Sequence, residues 1–371
     1  MERGERRERG FFGRILVFIL TILAVIGLIA MALSVINPYI NPQQFVWFSL
    51  FGLSFWVIFF FNVLILLLLI LLWSRKAWIA VLALLISVPG LKKSFSLGTK
   101  STVDDSFRVM SYNVHHFDDI NNKYDRNEFA YQLMSFVREQ SPDILCCQEF
   151  HSYNYNITRP QCIEAFAEGS GLPYIYYNKK DNYGGNVIFS KYPIMKVTEE
   201  SGFGQEKLYG VMVSVDAGER GKFHVANVHL TSYNITDNEL DVLTNPTDKP
   251  SDLDTIGKKV LHKLSYGMQL RSEEIDRMLG GIPPVDGPVI VCGDFNETPL
   301  SYVYRKMQKA GYVDTFTKVG RGIKPTFAWK LPLLRIDYIW ANSEVVSHYF
   351  KRCRHKASDH YPIILDFSIK Q

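Results

Sequence analysis

The sequence predicts an α/β domain carried behind an apolar N-terminal region. Three observations lead there. Long uncharged runs fill much of the first 92 residues, strand-like and helix-like segments alternate from residue 107 onward, and acidic, amide and imidazole side chains recur where those strands end. A chain of 371 residues has room for such a domain and an appendage.

Residues 1–14 are polar and arginine-rich, whereas residues 15–36 carry no charge and are numerous enough to cross a hydrocarbon core. That run is longer than the apolar part of a signal peptide and lacks a clear small-residue cleavage site. A second run, residues 45–73, has Asn62 as its one strongly polar interruption, with Trp47 and Trp73 near its ends where interfacial aromatics sit. The third, residues 77–91, is short for a span, and flanking lysines and arginines extend it by snorkelling. The expectation is a membrane domain over residues 1–92 with about three transmembrane helices, then a polar linker over 93–106.

Arginines before the first run, and Arg75 and Lys76 after the second, favour the cytoplasm. Three spans then put residues 107–371 outside a cell membrane, and two spans would leave them inside. Lys92, Lys93 and Lys100 pull mildly against the outer placement. The reading is a multi-pass membrane protein with its folded domain on the outer side.

Residues 1–100 carry ten Lys/Arg and three acidic side chains, and residues 101–371 carry 31 and 34, a balance of −3 within a chain of net +4. The net charge of the second part gives no support for non-specific nucleic-acid binding. Five cysteines without paired spacing argue against a disulfide framework. Cys146, Cys147 and Cys292 read as small buried apolar residues.

In order, residues 107–114 read as a strand. Residues 125–139 read as a helix with Phe129, Leu133, Phe136 and Val137 on one face and Asp125 as N-cap. Ser141-Pro142-Asp143 is a turn before a buried strand at 144–147, and further strands are expected at 186–189, 211–215, 223–229, 289–292, 335–340 and 363–369. Residues 232–265 read as a polar, irregular insertion, and residues 269–279 as a helix.

The stretch from Val289 to Pro299 organises the rest. Its apolar run is broken by Gly293, and Asp294 and Asn296 follow two residues apart. On an extended backbone their side chains face one point, one able to take a proton and the other to donate a hydrogen bond. Comparable polar groups end other strands: Asn113, Gln148-Glu149, Asn227 with His229, Asp337 within an apolar run, and Ser358-Asp359-His360. Singly, each is an ordinary surface or turn residue. Together, so many carboxylates repel unless a cation or a reacting group lies among them. An oxygen-rich set of this kind suits Mg²⁺ or Mn²⁺, with substrate phosphate oxygens completing the shell.

These motifs, in this order and with Gly185 to Ser190 between them, resemble the endonuclease/exonuclease/phosphatase superfamily over residues 107–370. The resemblance implies a four-layer sandwich, two mixed β-sheets face to face with helices outside and the site at one rim. It implies that Glu149 is the principal Mg²⁺ ligand with Asn113 beside it, and that Asp359 lies at the metal side. It further implies that Asp294 orients or deprotonates the attacking water and that Asn296 hydrogen-bonds phosphoryl oxygens. Asp337 would hold His360 against the phosphate, and His229 would stand near the phosphate or leaving group. His115 stands where repair-type members often carry Asp, which puts their second metal position in doubt. His116 next to His115 suggests a transition-metal pair, with a solvated loop the preferred expectation.

The expected activity is a membrane-anchored, Mg²⁺-dependent phosphodiesterase. Its substrate is a phospholipid or sphingolipid head group or, alternatively, nucleic acid met by a rim of Lys179, Lys180, Lys258, Lys259 and Lys263. A catalytically silent binding module is the remaining reading. The bilayer is the expected partner, and no obligate protein partner is evident.

Overall fold

The computed structural model describes residues 10–101, 103–179, 185–196, 202–203, 210–236, 239, 250–328, 333–355 and 357–370. Arg3, Arg6, Arg7, Arg9 and Lys180 lie outside them. The chain divides into two compact units, residues 1–93 with 300–302, and residues 94–299 with 303–371.

In the first unit a single helix runs Phe11–Ile36, and it is long and apolar enough to cross a membrane. The second apolar run forms two helices, Trp47–Leu53 and Phe55–Leu71, bent by 67°. The third forms Ala77–Ile86 and Val88–Ser94, bent by 47° just before Pro89, which cannot continue the hydrogen-bond ladder. Counting each bent pair as one span gives three, against one if only unbroken helices count. Asn62 is buried among these helices, and its Nδ2 donates to the carbonyls of Gly27 (3.1 Å) and Ile58 (2.9 Å), so both of its donors are satisfied without water.

In the second unit a six-stranded sheet has the order Val345–Arg352, Ile363–Ile369, Phe107–Asn113, Ile144–Gln148, Val187–Ser190, Tyr174–Tyr177. Its one parallel pair is Phe107–Asn113 with Ile144–Gln148. A seven-stranded sheet runs Val313–Asp314, Asp337–Ala341, Val289–Asp294, Lys222–His229, Gly210–Asp216, Ile194–Lys196, with Gly202–Phe203 added on Gly210–Asp216. Its parallel pair is Val289–Asp294 with Lys222–His229. Both sheets are therefore mixed, as expected.

The alternation of each strand supplies the core. Val109, Ile144, Cys146 and Ile188 of one sheet meet Val211, Val213, Val225, Ile290 and Cys292 of the other in a dry layer. The opposite face of the six-stranded sheet, including Met110, Leu145 and Phe189, packs on helices Arg126–Gln140 and Arg159–Ser170. Asp125 caps the first of these, accepting from the Glu128 N–H at 2.9 Å. The five cysteines are buried and unpaired by disulfides.

Two expectations are corrected. The insertion is not irregular throughout: from Pro250 the chain is one helix to Gly281. Its apolar contacts are sparse (Val260, Met268, Ile275, Met278), so polar composition masked the helical period. The segment expected as a linker is partly built into the second unit, with Ser96–Leu97 paired antiparallel to Arg321–Gly322 and the Ser101 N–H donating to the His348 carbonyl at 2.9 Å.

Candidate active site

Strand register brings the polar residues to one rim. Asp294, the last residue of its strand, pairs with His229 on the parallel side and with Asp337 on the antiparallel side. Asn113 pairs with Gln148 at the end of the other sheet's parallel pair, and Glu149 follows directly. Gln148 donates to the Asn227 side-chain oxygen at 2.6 Å, which ties the sheets together beneath the site. Glu149 has a left-handed backbone, φ 55°, which turns its side chain off the strand. Gly185 makes room for that turn: its φ is 58°, a Cβ there would lie 2.7 Å from the Glu149 carbonyl carbon, and its carbonyl accepts the Phe150 N–H at 3.0 Å.

The side chains then form a continuous chain of contacts. Asn113 Nδ2 donates to Glu149 Oε1 and to Asp294 Oδ2, both at 3.1 Å. His229 Nε2 is 3.4 Å from Glu149 Oε1 and 3.9 Å from Asp294 Oδ2. His360 Nδ1 lies 2.8 Å from Asp337 Oδ2, and its Nε2 lies 3.5 Å from Asp294 Oδ2. Thr326, which the sequence reading did not single out, accepts the N–H groups of Ile336 and Asp337 and fixes that turn. Asp359 is partly exposed, its oxygens 4.0 Å from His360 Nε2 and 3.9 Å from His115 Nε2.

Burial and neighbouring charge set the proton positions. Burial pushes Asp294 up to about 6, helped by Asp337 and opposed by His360 and His229. Burial opposes a charge on His360, but Asp337, Asp294 and Asp359 outweigh it and hold the imidazole well above its ordinary range. Burial would likewise raise Glu149, yet His229, His116 and the Asn113 amide bring it down to about 2. At neutral pH the rim therefore holds an ionised Glu149, an Asp294 near its proton-transfer range and a charged His360.

Asn296 departs from the extended geometry assumed above. Its φ is 52°, its N–H donates to Asp294 Oδ1 at 2.8 Å, and its amide donates to the Leu230 carbonyl (3.0 Å) and Asp294 Oδ2 (3.2 Å). It clamps the carboxylate through an Asx turn. His116 is also not merely solvated: its Nε2 is 3.1 Å from Glu149 Oε2, and its ring stacks on His151 at 4.4 Å. Behind Asn296, Glu297 accepts from fully buried Arg271 at 2.9 Å, and Arg271 also donates to the Thr231 carbonyl at 2.7 Å. Helix Pro250–Gly281 thus braces the loops after both central strands. No motif announces Arg271, whose only signal is an arginine on the helix's apolar side.

Three of the lysines expected to form a basic rim are paired with acids, two of them with the same carboxylate. Lys258 pairs with Asp254 at 2.7 Å, while Lys259 and Lys263 pair with Glu239 at 2.9 and 2.7 Å. Lys179 is exposed.

Glu149 and Asp359 are carboxylates partly open to water at the rim, donors of the kind that suit a hard divalent cation. Asp294, Asp337 and His360 also place one donor atom each within 4.8 Å of one another. That trio is a poorer seat, because both ring nitrogens of a charged His360 already face carboxylates.

A family model described as Endonuclease/Exonuclease/phosphatase family matches residues 110–360, and one described as Domain of unknown function (DUF8431) matches residues 14–94. The chain is similar to the Uncharacterized protein YbhP of Escherichia coli (strain K12), 26% identical over 283 residues covering 70% of this chain and 94% of the relative. It is similar to the endonuclease/exonuclease/phosphatase of Beutenbergia cavernae DSM 12333, at 17% identity and TM-score 0.49, covering 71% and 72% of the two chains. The corresponding figures for D. rerio TDP2 complexed with single strand DNA product are 18%, 0.47, 71% and 100%.

Proposed function

The chain belongs to the endonuclease/exonuclease/phosphatase family, and on that footing we propose that it is a membrane-anchored, divalent-metal-dependent phosphodiesterase. The observation that carries this reading is the position of Asp294, in register between His229 and Asp337 and in contact with Asn113 and His360. A lone buried carboxylate would be costly. One set among an amide, two imidazoles and a second acid is arranged for proton transfer beside charge.

Glu149 and Asp359 would hold the cation, which when bound supplies positive charge to a phosphoryl oxygen. Asp294, clamped by Asn296 and Asn113, takes a proton from water as the water oxygen bonds to phosphorus. His360, oriented by Asp337, presents a charged Nε2 to the phosphoryl oxygens, where negative charge grows. The ester P–O bond breaks, and the departing alkoxide takes up a proton, a role we assign to His229, whose Nε2 lies between Glu149 and Asp294.

For substrate, we favour the phosphodiester of a phospholipid or sphingolipid head group. The helix Phe11–Ile36, and apolar side chains such as Phe18, Ile26, Leu64 and Leu67 that remain exposed on the first unit, support membrane anchoring. Residues 92–106 span at most about 50 Å when fully extended, so a tethered site meets head groups at high effective concentration. The −3 balance of residues 101–371 gives no long-range attraction for a polyanion. Purified full-length protein should release head groups from vesicles with Mg²⁺ or Mn²⁺ and stop with chelator. Salt-sensitive cleavage of DNA or RNA without head-group release would transfer the activity to nucleic acid, and inertness toward every phosphoester would defeat the enzyme reading.

A further inference from the structure

Four arginines of the second unit, Arg108, Arg126, Arg271 and Arg335, each meet a carboxylate within 2.9 Å. Lys324, Arg352 and Arg354 do not: among the described residues, none of the three forms an ion pair. Arg352 ends strand Val345–Arg352 and pairs there with Ile363. Its guanidinium lies over the Tyr361 ring at 4.4 Å, and its Nη1 donates to the Pro325 carbonyl at 3.2 Å. The Cys353 N–H donates to the Pro362 carbonyl at 2.8 Å, and the Tyr361 N–H donates to the Thr326 carbonyl at 2.7 Å. Ring, carbonyl and backbone bonds together fix the guanidinium against the segment that carries Lys324.

Lys324 and Arg352 are half-buried, and Arg354 is exposed. Burial pulls the Lys324 ammonium below its ordinary value, and the charges of Arg352 and Arg354 pull it further. Burial and Arg354 act in the same direction on Arg352, against the Tyr361 hydroxyl. No carboxylate opposes either shift. Arg352 Nε is also shut away from water without a hydrogen-bond partner. Gathering like charges under partial burial is unfavourable unless an anion joins them.

A guanidinium held flat on a ring is pre-organised to meet phosphate oxygens with its N–H edge, and two further cations add charge beside it. That set suits a phosphate monoester, with three terminal oxygens and a charge of about −1.5 to −2, better than a singly charged diester. A nucleic-acid strand would instead be met by cations spread along its path. The same segment reaches the candidate active site. Phe327 forms a β-bridge with His360, the two rings 5.5 Å apart, and it follows Lys324 by three residues, at most about 10 Å of chain.

We propose that Lys324, Arg352 and Arg354 form a subsite for a phosphate monoester carried on the substrate beside the ester that is cut, so that the protein selects head groups bearing an additional phosphate. The inference rests on the phosphodiesterase reading above.

The test is calorimetric titration of full-length protein in neutral detergent, with chelator present so that no divalent cation contributes. Short-chain phosphatidic acid, whose phosphate is a monoester, should bind at least about tenfold more tightly than short-chain phosphatidylcholine. Lys324→Gln/Arg352→Gln should abolish that preference, and Arg352→Lys should keep part of it. If the double variant does not fold, Arg354→Gln on the exposed side takes its place and should lower the preference by at least about threefold. Inorganic phosphate that binds as tightly as phosphatidic acid, and is lost in the same variants, would support the subsite with a soluble phosphate as its occupant. Equal binding of the two lipids, or a preference that survives the substitutions, overturns the proposal. So does tighter binding of a single-stranded oligonucleotide through the same side chains. A preference for phosphatidic acid in a protein inert toward every phosphoester would sustain the subsite while refuting the proposed activity.

Discussion

His360 reaches Asp294 at 3.5 Å through Nε2 while its Nδ1 is held by Asp337 at 2.8 Å. The buried acid that would activate water is therefore electrostatically tied to the cation that would face the phosphate. Replacing Asp294 by Asn keeps the shape and the Asn113 and Asn296 neighbours but removes the basic oxygen. Turnover should fall about 10²–10⁴-fold, with little change in melting temperature. A near-normal rate in a steady-state assay would assign the base elsewhere.

Asp337→Asn addresses the same chain from its far end. The wild-type rate should rise as Asp294 ionises near pH 6 and persist into alkaline pH, because Asp337, Asp294 and Asp359 outweigh burial and hold His360 charged. The His360 pKa is raised on folding, so the stability linked to it is fully present below the ordinary imidazole value of about 6.5. That stability is lost as pH rises through the raised value. In the variant the alkaline limb of the rate profile should move to lower pH. An unmoved limb would show that His360 does not set it.

Arg271 and Glu297 test the brace rather than the chemistry. The guanidinium is fully buried on helix Pro250–Gly281 and lies over the Tyr233 ring at 3.9 Å. Removing one partner of such a pair commonly costs about 3–5 kcal/mol. Arg271→Met should show that loss by denaturant unfolding, and adding Glu297→Gln should recover part of it. Two independent, additive losses would mean that the pair is not coupled.

Membrane topology is the next measurable point. The basic residues around the apolar runs favour an outer location for residues 107–371 only if the third run, bent by 47° at Ser87, crosses the bilayer. A periplasm-dependent reporter fused after Thr99 should be active. Activity of a cytoplasm-dependent reporter alone at that position would leave two spans.

Much of this architecture was legible because it depends on periodicity and order. The strands around Val109, Ile144 and Ile290 alternate cleanly, and the acids and imidazoles follow their ends in sequence. What stayed hidden depends on backbone conformation or long-range partners. The left-handed φ of His116, Glu149 and Asn296 breaks the period-two rule that sequence reading applies. An arginine at 271 reads as solvated until its partner, 26 residues away, is placed beside it. The lysines at 259 and 263 read as part of a basic rim because Glu239, 24 residues from Lys263, is not recognisable as their partner from spacing, whereas Asp254 and Lys258 form an i,i+4 pair only once that segment is helical.

Gly185 connects local geometry to metal binding and gives the last prediction. Its φ of 58° suits glycine, and a Cβ would come within 2.8 Å of the Glu149 Cα. Gly185→Ala must therefore displace the turn that aims Glu149, in addition to the cost of about 1–2 kcal/mol for a left-handed L-residue. The affinity for Mn²⁺ should fall by at least about tenfold, a change of about 1.4 kcal/mol in binding, together with a lower melting temperature. Asn296 and His360 enter from other segments, after strand Val289–Asp294 and before strand Ile363–Ile369, and do not depend on that turn, so the Asp337–His360 pairing should survive. Metal titration and thermal unfolding of the same sample separate the two effects. Unchanged metal affinity in a destabilised variant would show that Glu149 is not placed by Gly185 or does not bind the ion.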